Sequence, residues 1–378
     1  MKKYWYFLFA VPFLIWACSS DSNNGDGTAV DDEVPVTFDR SAMLVNWADN
    51  IIVPAYQSFS AKLTVLEESY DSFVSDRSVD NLTAFREAWL DAYTAWQQVS
   101  LFETGPAESV GYRLNMNTYP ADADLIESHI ANGAYDLSLP SNRDAKGFPA
   151  LDYLLNGLET DDVALVNRLA SGTEADGTLS YMDDVISDMK SLTDDVVGQW
   201  EGDYRDTFVE NDGSSSTASV DRFVNDYIFY YEKFLRAGKM GIPLGVFTGE
   251  TAPNTIEAFY KADISNTLFL EGLSAVQDFF NGKHFNSSAT GESLASYLED
   301  LNSVKDGDDL SELINNQLNT TRTAVSGLDT FRSEIENNDT PTNMNMAYDE
   351  VQRAVPLFKV DMVSAMSISI DFVDADGD

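Results

Sequence analysis

The chain has 378 residues, of which 63 are acidic and 23 basic, so its formal net charge is −40 at pH 7. Such an excess of acid repels nucleic acids and anionic lipid head groups, and we therefore expect no nucleic-acid partner. Hydrophobic residues make up 44% of the sequence, which is enough for one large core or two smaller ones.

The first residues are typical of an export signal. Two lysines precede an apolar run over residues 4–16, which is too short to span a bilayer comfortably. The run ends at Ala17 and Cys18, where the sequence resembles the lipidation site of bacterial lipoproteins, and Cys18 is the only cysteine. We predict a lipoprotein signal peptide over residues 1–18 and a disordered acidic tether over residues 19–37. The expected location is the cell envelope, lipid-anchored in a bacterial membrane, with the outer membrane favoured and either its periplasmic or its outer face possible.

The first folded segment has helical periodicity over residues 41–75, interrupted by Pro54, which should kink the helix or begin a second one. Another helix is predicted from residue 78 or 80 to residue 99. The short loop between them indicates an antiparallel pair. Trp89 and Trp96 lie a heptad apart on one face of the second helix, a spacing that favours core packing.

A compact apolar stretch with one carboxylate follows at residues 146–157, which we call the signature segment. A helix beginning near Pro149 would place Leu151, Leu154 and Leu155 on one face and Asp152 beside them. Spacing alone favours a short core helix whose aspartate interacts with the helix dipole. A role for Asp152 in a binding site is the alternative.

Further helices are predicted over residues 178–211, 220–238, 256–280, 310–336 and 342–366, the last bent at Pro356. No long strand pattern is present. Residues 211–219, Asn-Asp-Gly-Ser-Ser-Ser-Thr-Ala-Ser, are small and polar and form the clearest break in composition. We therefore predict an N-terminal helical bundle over residues 38–211 and a C-terminal helical bundle over residues 219–378.

The signature segment resembles that of the imelysin family, the M75 peptidase-like, iron-regulated proteins, whose pattern is Gly-x-His-x-x-Glu followed by an aromatic residue and two leucines. Gly147 matches, Pro149 replaces the histidine and Asp152 replaces the glutamate. The Pro-Ala-Tyr at 54–56 and the Ala-Trp pairs at 88–89 and 95–96 resemble the family's opening helices. The resemblance implies an all-α fold of two packed helical bundles, with the signature segment near their junction.

The resemblance also implies where a ligand would bind. The candidate ligand-binding residues are Gly147, Pro149 and Asp152 in the signature segment, Arg113, Asn115 and Tyr119 in the preceding crossing, and Glu257 and Ser265 farther along the chain. Asp152 is the one candidate metal ligand, and iron or another divalent cation is the implied cofactor. Arg113 could pair with a surface carboxylate, clamp an anionic group or hold Asp152.

Three functions remain open at this stage. The chain has only two histidines, His129 and His284, each expected to lie at a helix end, and no His-Glu-x-x-His. The acidic turn at residues 306–309 could bind calcium, but it lacks the full ligand loop and is better read as a solvated turn. We favour an imelysin-like lipoprotein, not catalytic, that binds or assists in iron or metal uptake with a metal or envelope protein as partner. The alternatives are an M75-type peptidase and a surface recognition module without metal.

Overall fold

The computed structural model describes residues 38–338 and 340–371, which belong to one compact unit. The predicted signal peptide with Cys18, the tether and residues 372–378 lie outside the described residues, so those assignments stay predictions. No helix within residues 38–338 and 340–371 is long and apolar enough to cross a membrane.

The first half of the described chain is helical with short connections. Its α-helices are α1 (Arg40–Val45), α2 (Val53–Ser75), α3 (Val79–Val99), α4 (Pro106–Val110), α5 (Tyr112–Met116), α6 (Ala123–Asn132), α7 (Gly147–Asp152), α8 (Asp162–Ser171), α9 (Ala175–Gln199) and α10 (Arg205–Glu210). A 3₁₀-helix covers Pro140–Ala145, and π-helical turns cover Asn46–Ile52, Tyr153–Gly157 and Trp200–Tyr204. The helices expected over residues 41–75 and 78–99 are therefore present.

The second half is also helical, with one small hairpin. Its α-helices are α11 (Ser219–Phe229), α12 (Ser265–Phe280), α13 (Leu294–Asp300), α14 (Leu310–Ser326), α15 (Phe331–Glu336), α16 (Thr342–Pro356) and α17 (Val363–Ala365). Long π-helical stretches cover Tyr230–Gly241 and Leu357–Met362, and a 3₁₀-helix covers Pro253–Thr255. The acidic turn at residues 306–309 joins the antiparallel strands β1 (Val304–Lys305) and β2 (Asp308–Asp309), and Asp309 caps α14 by accepting from the Glu312 N–H at 3.0 Å.

Pro54 changes the helix locally without ending it. A proline has no N–H, so the carbonyl four residues earlier, on Asn50, loses its helical donor. That carbonyl instead accepts from the backbone N–H of Phe285 at 2.8 Å. The π-helical turn at Asn46–Ile52 precedes the proline directly, and such turns are a known way for a helix to absorb a break in its ladder.

Two expected helices are shorter than predicted. The helix expected over residues 256–280 begins only at Ser265, because Ala258 and Ala262 have φ of +54° and +67°, a left-handed conformation that a right-handed helix excludes. The helix expected over residues 310–336 is divided into α14 and α15 at Gly327. Both differences arise where the backbone serves a tertiary contact or a turn.

The helices pack as bundles around a continuous apolar core, which confirms the all-α fold. Helix α2 packs against α3 and α9, while α14 packs against α12 and α16. Helix α3 also packs against α12, so the first and second halves of the described chain are in contact. Trp89 and Trp96 are buried as predicted. The division into two bundles at residues 211–219 stays a prediction.

Candidate functional site

The signature segment is fixed in place by a close backbone approach. Gly147 opens α7 with φ of +68°, and a Cβ at this position would lie 2.2 Å from the carbonyl oxygen of Met116 at the end of α5. Only glycine accepts both that φ and that contact. The crossing that carries three of the candidate residues is thereby held directly against the signature segment.

Helix α7 is buried on every side. Leu151, Leu154 and Leu155 have no exposed surface, as their spacing predicted. Phe148 stacks on Tyr93 of α3, with ring centroids 4.4 Å apart and planes 2° from parallel. Pro149 lies in the first turn, where its missing N–H leaves no helical hydrogen bond unmade. The segment is therefore a core helix with one acid inside it.

The carboxylate of that acid, Asp152, is 1% exposed and is held by three N–H donors. The backbone N–H groups of Tyr260 and Lys261 donate to its two oxygens at 2.8 and 2.9 Å, and the Asn156 amide donates at 3.1 Å. Burial raises the pKa of Asp152 to about 7, and the three donors oppose that rise because they favour the charged form. Asp152 thus ties the signature segment to residues 256–262.

These hydrogen bonds to Asp152 explain the unusual backbone of residues 256–262. Ala258 and Ala262 flank Tyr260 and Lys261, and each has a positive φ, which costs an alanine roughly 1–2 kcal/mol. The conformation turns two successive N–H groups toward one carboxylate. The hydrogen bonds to Asp152 offset the strain, so the loop and the acid depend on each other.

The residues of the signature segment do not fit a metal ion. Proline at 149 offers no donor atom where the family pattern has histidine, and the Asp152 oxygens already accept three hydrogen bonds. Among residues 38–338 and 340–371, no three His, Cys, Asp or Glu side chains form a group able to hold a metal ion. A zinc- or iron-type site needs at least three such ligands.

Arg113 does not hold Asp152. Its guanidinium makes a bidentate pair with Asp226 of α11, with N–O distances of 3.1 and 3.2 Å, and its Nε donates to the Ser100 carbonyl at 2.6 Å. The ring of Phe234 lies 4.7 Å from the guanidinium carbon. A buried guanidinium needs a carboxylate and several acceptors, and this set supplies them. The pairing of Arg113 with Asp152 was therefore a wrong expectation.

Glu257 belongs to a second buried ion pair. It contacts Lys239 of the Tyr230–Gly241 stretch, and its Oε1 accepts from Asn117 at 2.7 Å and from Gln97 at 3.2 Å. The Lys239 ammonium also donates to the Gln97 side chain at 2.9 Å. Burial raises the pKa of Tyr119, and the charge of Glu257 raises it further. Tyr119 and Lys239 line one small cavity, so the candidates Tyr119 and Glu257 lie in the same region of the core.

The remaining candidates have separate positions. Asn115 is buried and donates to the carbonyl of Val110 at 2.7 Å, a contact within its own crossing. Ser265 begins α12, and its buried hydroxyl has no hydrogen-bond partner among the described residues. His129 lies in the last turn of α6, 3.2 Å from the Tyr181 hydroxyl, as a helix-end residue.

Sequence reasoning missed Lys239, Gln97 and Asp226. Each lies on a helical segment rich in buried apolar residues, and a charged or amide side chain in such a segment is the signal that could have pointed to a buried pair. The two ion pairs meet at a cavity of about 20 Å³, which Gln97, Arg113 and Lys239 line together with Tyr119. Such a volume has room for about one water molecule.

A wider groove of about 690 Å³ runs between α2, α3 and α12. Small side chains of Ala55, Ala95 and Ala275 line it. Its charged side chains include two lysines already paired within the groove, Lys62 with Asp91 at 2.7 Å and Lys283 with Asp278 at 2.9 Å. His284 also lines this groove, away from the signature segment.

Comparison with known proteins gives consistent matches. The family model for imelysin, peptidase M75, matches residues 52–355. Iron-regulated protein A of Synechococcus elongatus is 33% identical over 110 residues, which are 29% of this chain and 30% of that protein. The chain thus matches less than a third of that relative's length.

Solved structures resemble the fold over nearly the whole described chain. An iron-regulated protein A precursor from Parabacteroides distasonis has a TM-score of 0.68 at 18% identity and covers 85% of this chain and 95% of its own. An imelysin-like protein from Psychrobacter arcticum has a TM-score of 0.67 at 17% identity, and the match covers 89% of this chain and 100% of that protein. At these identities the likeness shows a shared fold.

Proposed function

The chain belongs to the imelysin family, and from this premise we propose that it binds or assists in iron or metal uptake without catalysis, anchored to the bacterial envelope by a lipid on Cys18. The observation that carries the proposal is the state of Asp152. Its carboxylate holds the backbone of residues 260 and 261 and is enclosed, so the family's signature position serves the fold here.

A metal-dependent peptidase needs a different arrangement. It requires at least three protein ligands around an open coordination position, at which a water molecule is activated. Pro149 and the occupied Asp152 do not provide that set. This donor chemistry favours a binding role over the M75-type peptidase.

The link to iron in this proposal is drawn from the relatives, and the proposed mode of action is drawn from the residues of this chain. The Synechococcus relative is named an iron-regulated protein, and that name describes the relative itself. Because the signature segment here does not fit a metal, this chain would take part in uptake by binding a partner or an organic ligand. The net charge of −40 favours a partner with basic surface.

The wide groove between α2, α3 and α12 supports a second candidate, a recognition module without metal. Its volume of about 690 Å³ is within the range of small-molecule sites, and its paired lysines and acids could exchange partners with a polar ligand. The two candidates differ in whether loss of the protein impairs iron uptake.

A cleavage assay tests the choice between binding and catalysis. The full-length protein in detergent is incubated with an unfolded protein substrate, with and without a chelator, beside Asp152→Asn and the exposed-site control Asp300→Asn. We expect no chelator-sensitive cleavage. Cleavage that is abolished both by the chelator and by Asp152→Asn, and is retained in Asp300→Asn, would establish a peptidase instead.

The uptake role and the anchor are tested in cells. A strain lacking the protein should accumulate radioactive iron more slowly under iron limitation, and the wild-type chain should restore the rate. Cys18→Ala should leave the membrane fraction, because the acyl chain supplies the attachment. Unchanged iron uptake in the deletion strain would refute the uptake role, and full membrane retention of Cys18→Ala would refute the anchor.

A further inference from the structure

A cavity of about 290 Å³ opens beside Arg113, and no residue of the signature segment lines it. Residues of the α4–α5 region, of α11 and of the start of the Tyr230–Gly241 stretch line it, together with Asp371. The position is separate from the Asp152 tie and from the wide groove.

The charges around this cavity do not balance. Asp226 is matched by Arg113, and Glu108 pairs with Arg222 at 2.6 Å. Within the described part of the chain, the hydrogen bond that the Glu103 carboxylate accepts comes from a neutral donor, the backbone N–H of Arg113 at 2.8 Å. With Asp371 also lining the cavity, two carboxylates remain that the two arginines do not neutralise. The lining therefore favours a cation.

A buried hydroxyl in the lining independently indicates a missing partner. Thr104 is 6% exposed and lines the cavity next to Glu103, and its Oγ1 has no hydrogen-bond partner among the described residues. A hydroxyl can donate one hydrogen bond and accept others, and burying it unpaired costs free energy. A ligand with N–H donors would satisfy it.

The lining also has an apolar part, which decides the kind of cation. The rings of Phe229 and Phe234 line the same cavity, and Phe234 already lies 4.7 Å from the Arg113 guanidinium carbon. Aromatic faces attract organic cations and their alkyl chains. A bare metal ion would be held best by three or more His, Cys, Asp or Glu side chains, and no such group able to hold one exists among the described residues.

We propose that this cavity binds an organic cation, an alkylammonium or guanidinium group, with Glu103 as its counter-ion and the Thr104 hydroxyl as a hydrogen-bond acceptor. The phenylalanine rings contact the carbon chain of the ligand. The same chemistry is offered by a free amine and by a lysine or arginine side chain of a protein partner. The site does not depend on a role in iron uptake.

The proposal has a pH signature. Burial raises the pKa of Glu103 to about 7, with Arg113 opposing the rise and Asp226 and Glu108 adding to it. Arg222 is held by Glu108 at the rim. A cation binds the ionised carboxylate, so binding should strengthen as the pH rises through about 7. The ionised fraction changes about tenfold between pH 6 and pH 8, and the apparent affinity should follow it.

Calorimetry on the full-length protein in detergent tests the site with three probes, cadaverine, agmatine and Nα-acetyl-lysine amide. We expect binding about tenfold tighter at pH 8 than at pH 6. Glu103→Gln should weaken it at pH 8 by roughly tenfold or more and flatten the pH dependence, since a hydrogen bond to a charged group is lost. Thr104→Val, which keeps the shape, should weaken it roughly three- to tenfold. Glu68→Gln, a change at an exposed carboxylate of α2, should have no effect.

The outcomes separate cleanly. Binding of cadaverine or agmatine indicates a free amine, and binding of the lysine amide alone indicates a side chain of a partner. Absence of binding by all three probes at millimolar concentration would overturn the proposal. So would an affinity that Glu103→Gln and Thr104→Val leave unchanged, provided that both variants unfold at the wild-type temperature.

Discussion

Replacing Gly147 with alanine should destabilise the protein more than the same change at Gly133, although both glycines have a positive φ, +68° and +60°. An alanine at such a φ costs roughly 1–2 kcal/mol. At Gly133 that is the whole cost, because a Cβ there meets nothing within 4 Å. At Gly147 the Cβ would lie 2.2 Å from a backbone oxygen of Met116, so the chain must also shift.

The additional loss of folding free energy in Gly147→Ala can be estimated from the known cost of overpacking a protein interior. Forcing extra atoms into a packed interior costs about 1–3 kcal/mol. Gly147→Ala should therefore lower the free energy of unfolding by about 2–5 kcal/mol, against about 1–2 kcal/mol for Gly133→Ala. The difference between the two variants isolates the contact between the signature segment and α5.

Urea unfolding followed by tryptophan fluorescence measures that difference. Trp89 and Trp96 lie in the core near the signature segment, so their emission reports its loss. The midpoint and slope of each curve give the free energy of unfolding, and equal slopes validate the comparison. Equal destabilisation of the two variants would refute the close approach of Gly147 to Met116 and with it the structural role of this family glycine.

Three further predictions concern the buried acids. Asp152→Ala should speed amide hydrogen exchange at residues 256–262 at least tenfold, because two N–H groups lose their acceptor. Exchange in α2 should stay the same, and unchanged exchange at residues 256–262 would contradict the hydrogen bonds to Asp152. Burial raises the pKa of Asp152 to about 7 from an unfolded value near 3.9, so between these pH values the folded state binds one proton that the unfolded state has lost. This group should therefore lower the free energy of unfolding as the pH rises from about 4 to 7, with no further change above pH 7. Urea midpoints of wild type and Asp152→Ala measured across this pH range check the trend, and parallel curves would contradict it. Lys239→Met leaves the Glu257 charge buried without its cation and should lower the free energy of unfolding by about 3–5 kcal/mol. The double variant Lys239→Met with Glu257→Gln should recover most of that loss. Thermal unfolding measures both variants, and a double variant as unstable as the single one would argue against the ion pair.

The helices could be predicted because their signal is local. Residues three and four apart share a face, so the leucines of the signature segment and the tryptophans of α3 are read directly from spacing, and the structure buries them. Gly147 could be singled out from the family pattern. Its physical reason, the carbonyl of Met116, lies 31 residues away and has no local mark.

The partners of the candidate residues could not be predicted, for the same reason. Arg113 lies 113 residues from Asp226 in sequence, and Asp152 lies 108 residues from Tyr260. Holding Asp152 was one of three roles considered for Arg113, because the charges are opposite and its loop leads to the signature segment, and neither fact gives the distance between the two side chains. A backbone N–H can replace an arginine as the partner of a carboxylate, and a sequence shows no difference between such N–H groups.

Residues 256–262 link the two buried acids that the sequence marked. The backbone of residues 260 and 261 is held by Asp152, while Glu257, three residues earlier, is held by Lys239 and Asn117. Ala258, with its positive φ, lies between these anchors, so we expect the release of one anchor to change the backbone strain that the other holds. Lys239→Met should therefore also raise amide hydrogen exchange at residues 260 and 261, because Lys239 acts on them through Glu257; unchanged exchange at those two amides would contradict this coupling. In this chain Pro149 accompanies an acid whose two oxygens already accept hydrogen bonds from Tyr260, Lys261 and Asn156, so the same contacts that hold the loop leave Asp152 no free oxygen for a ligand.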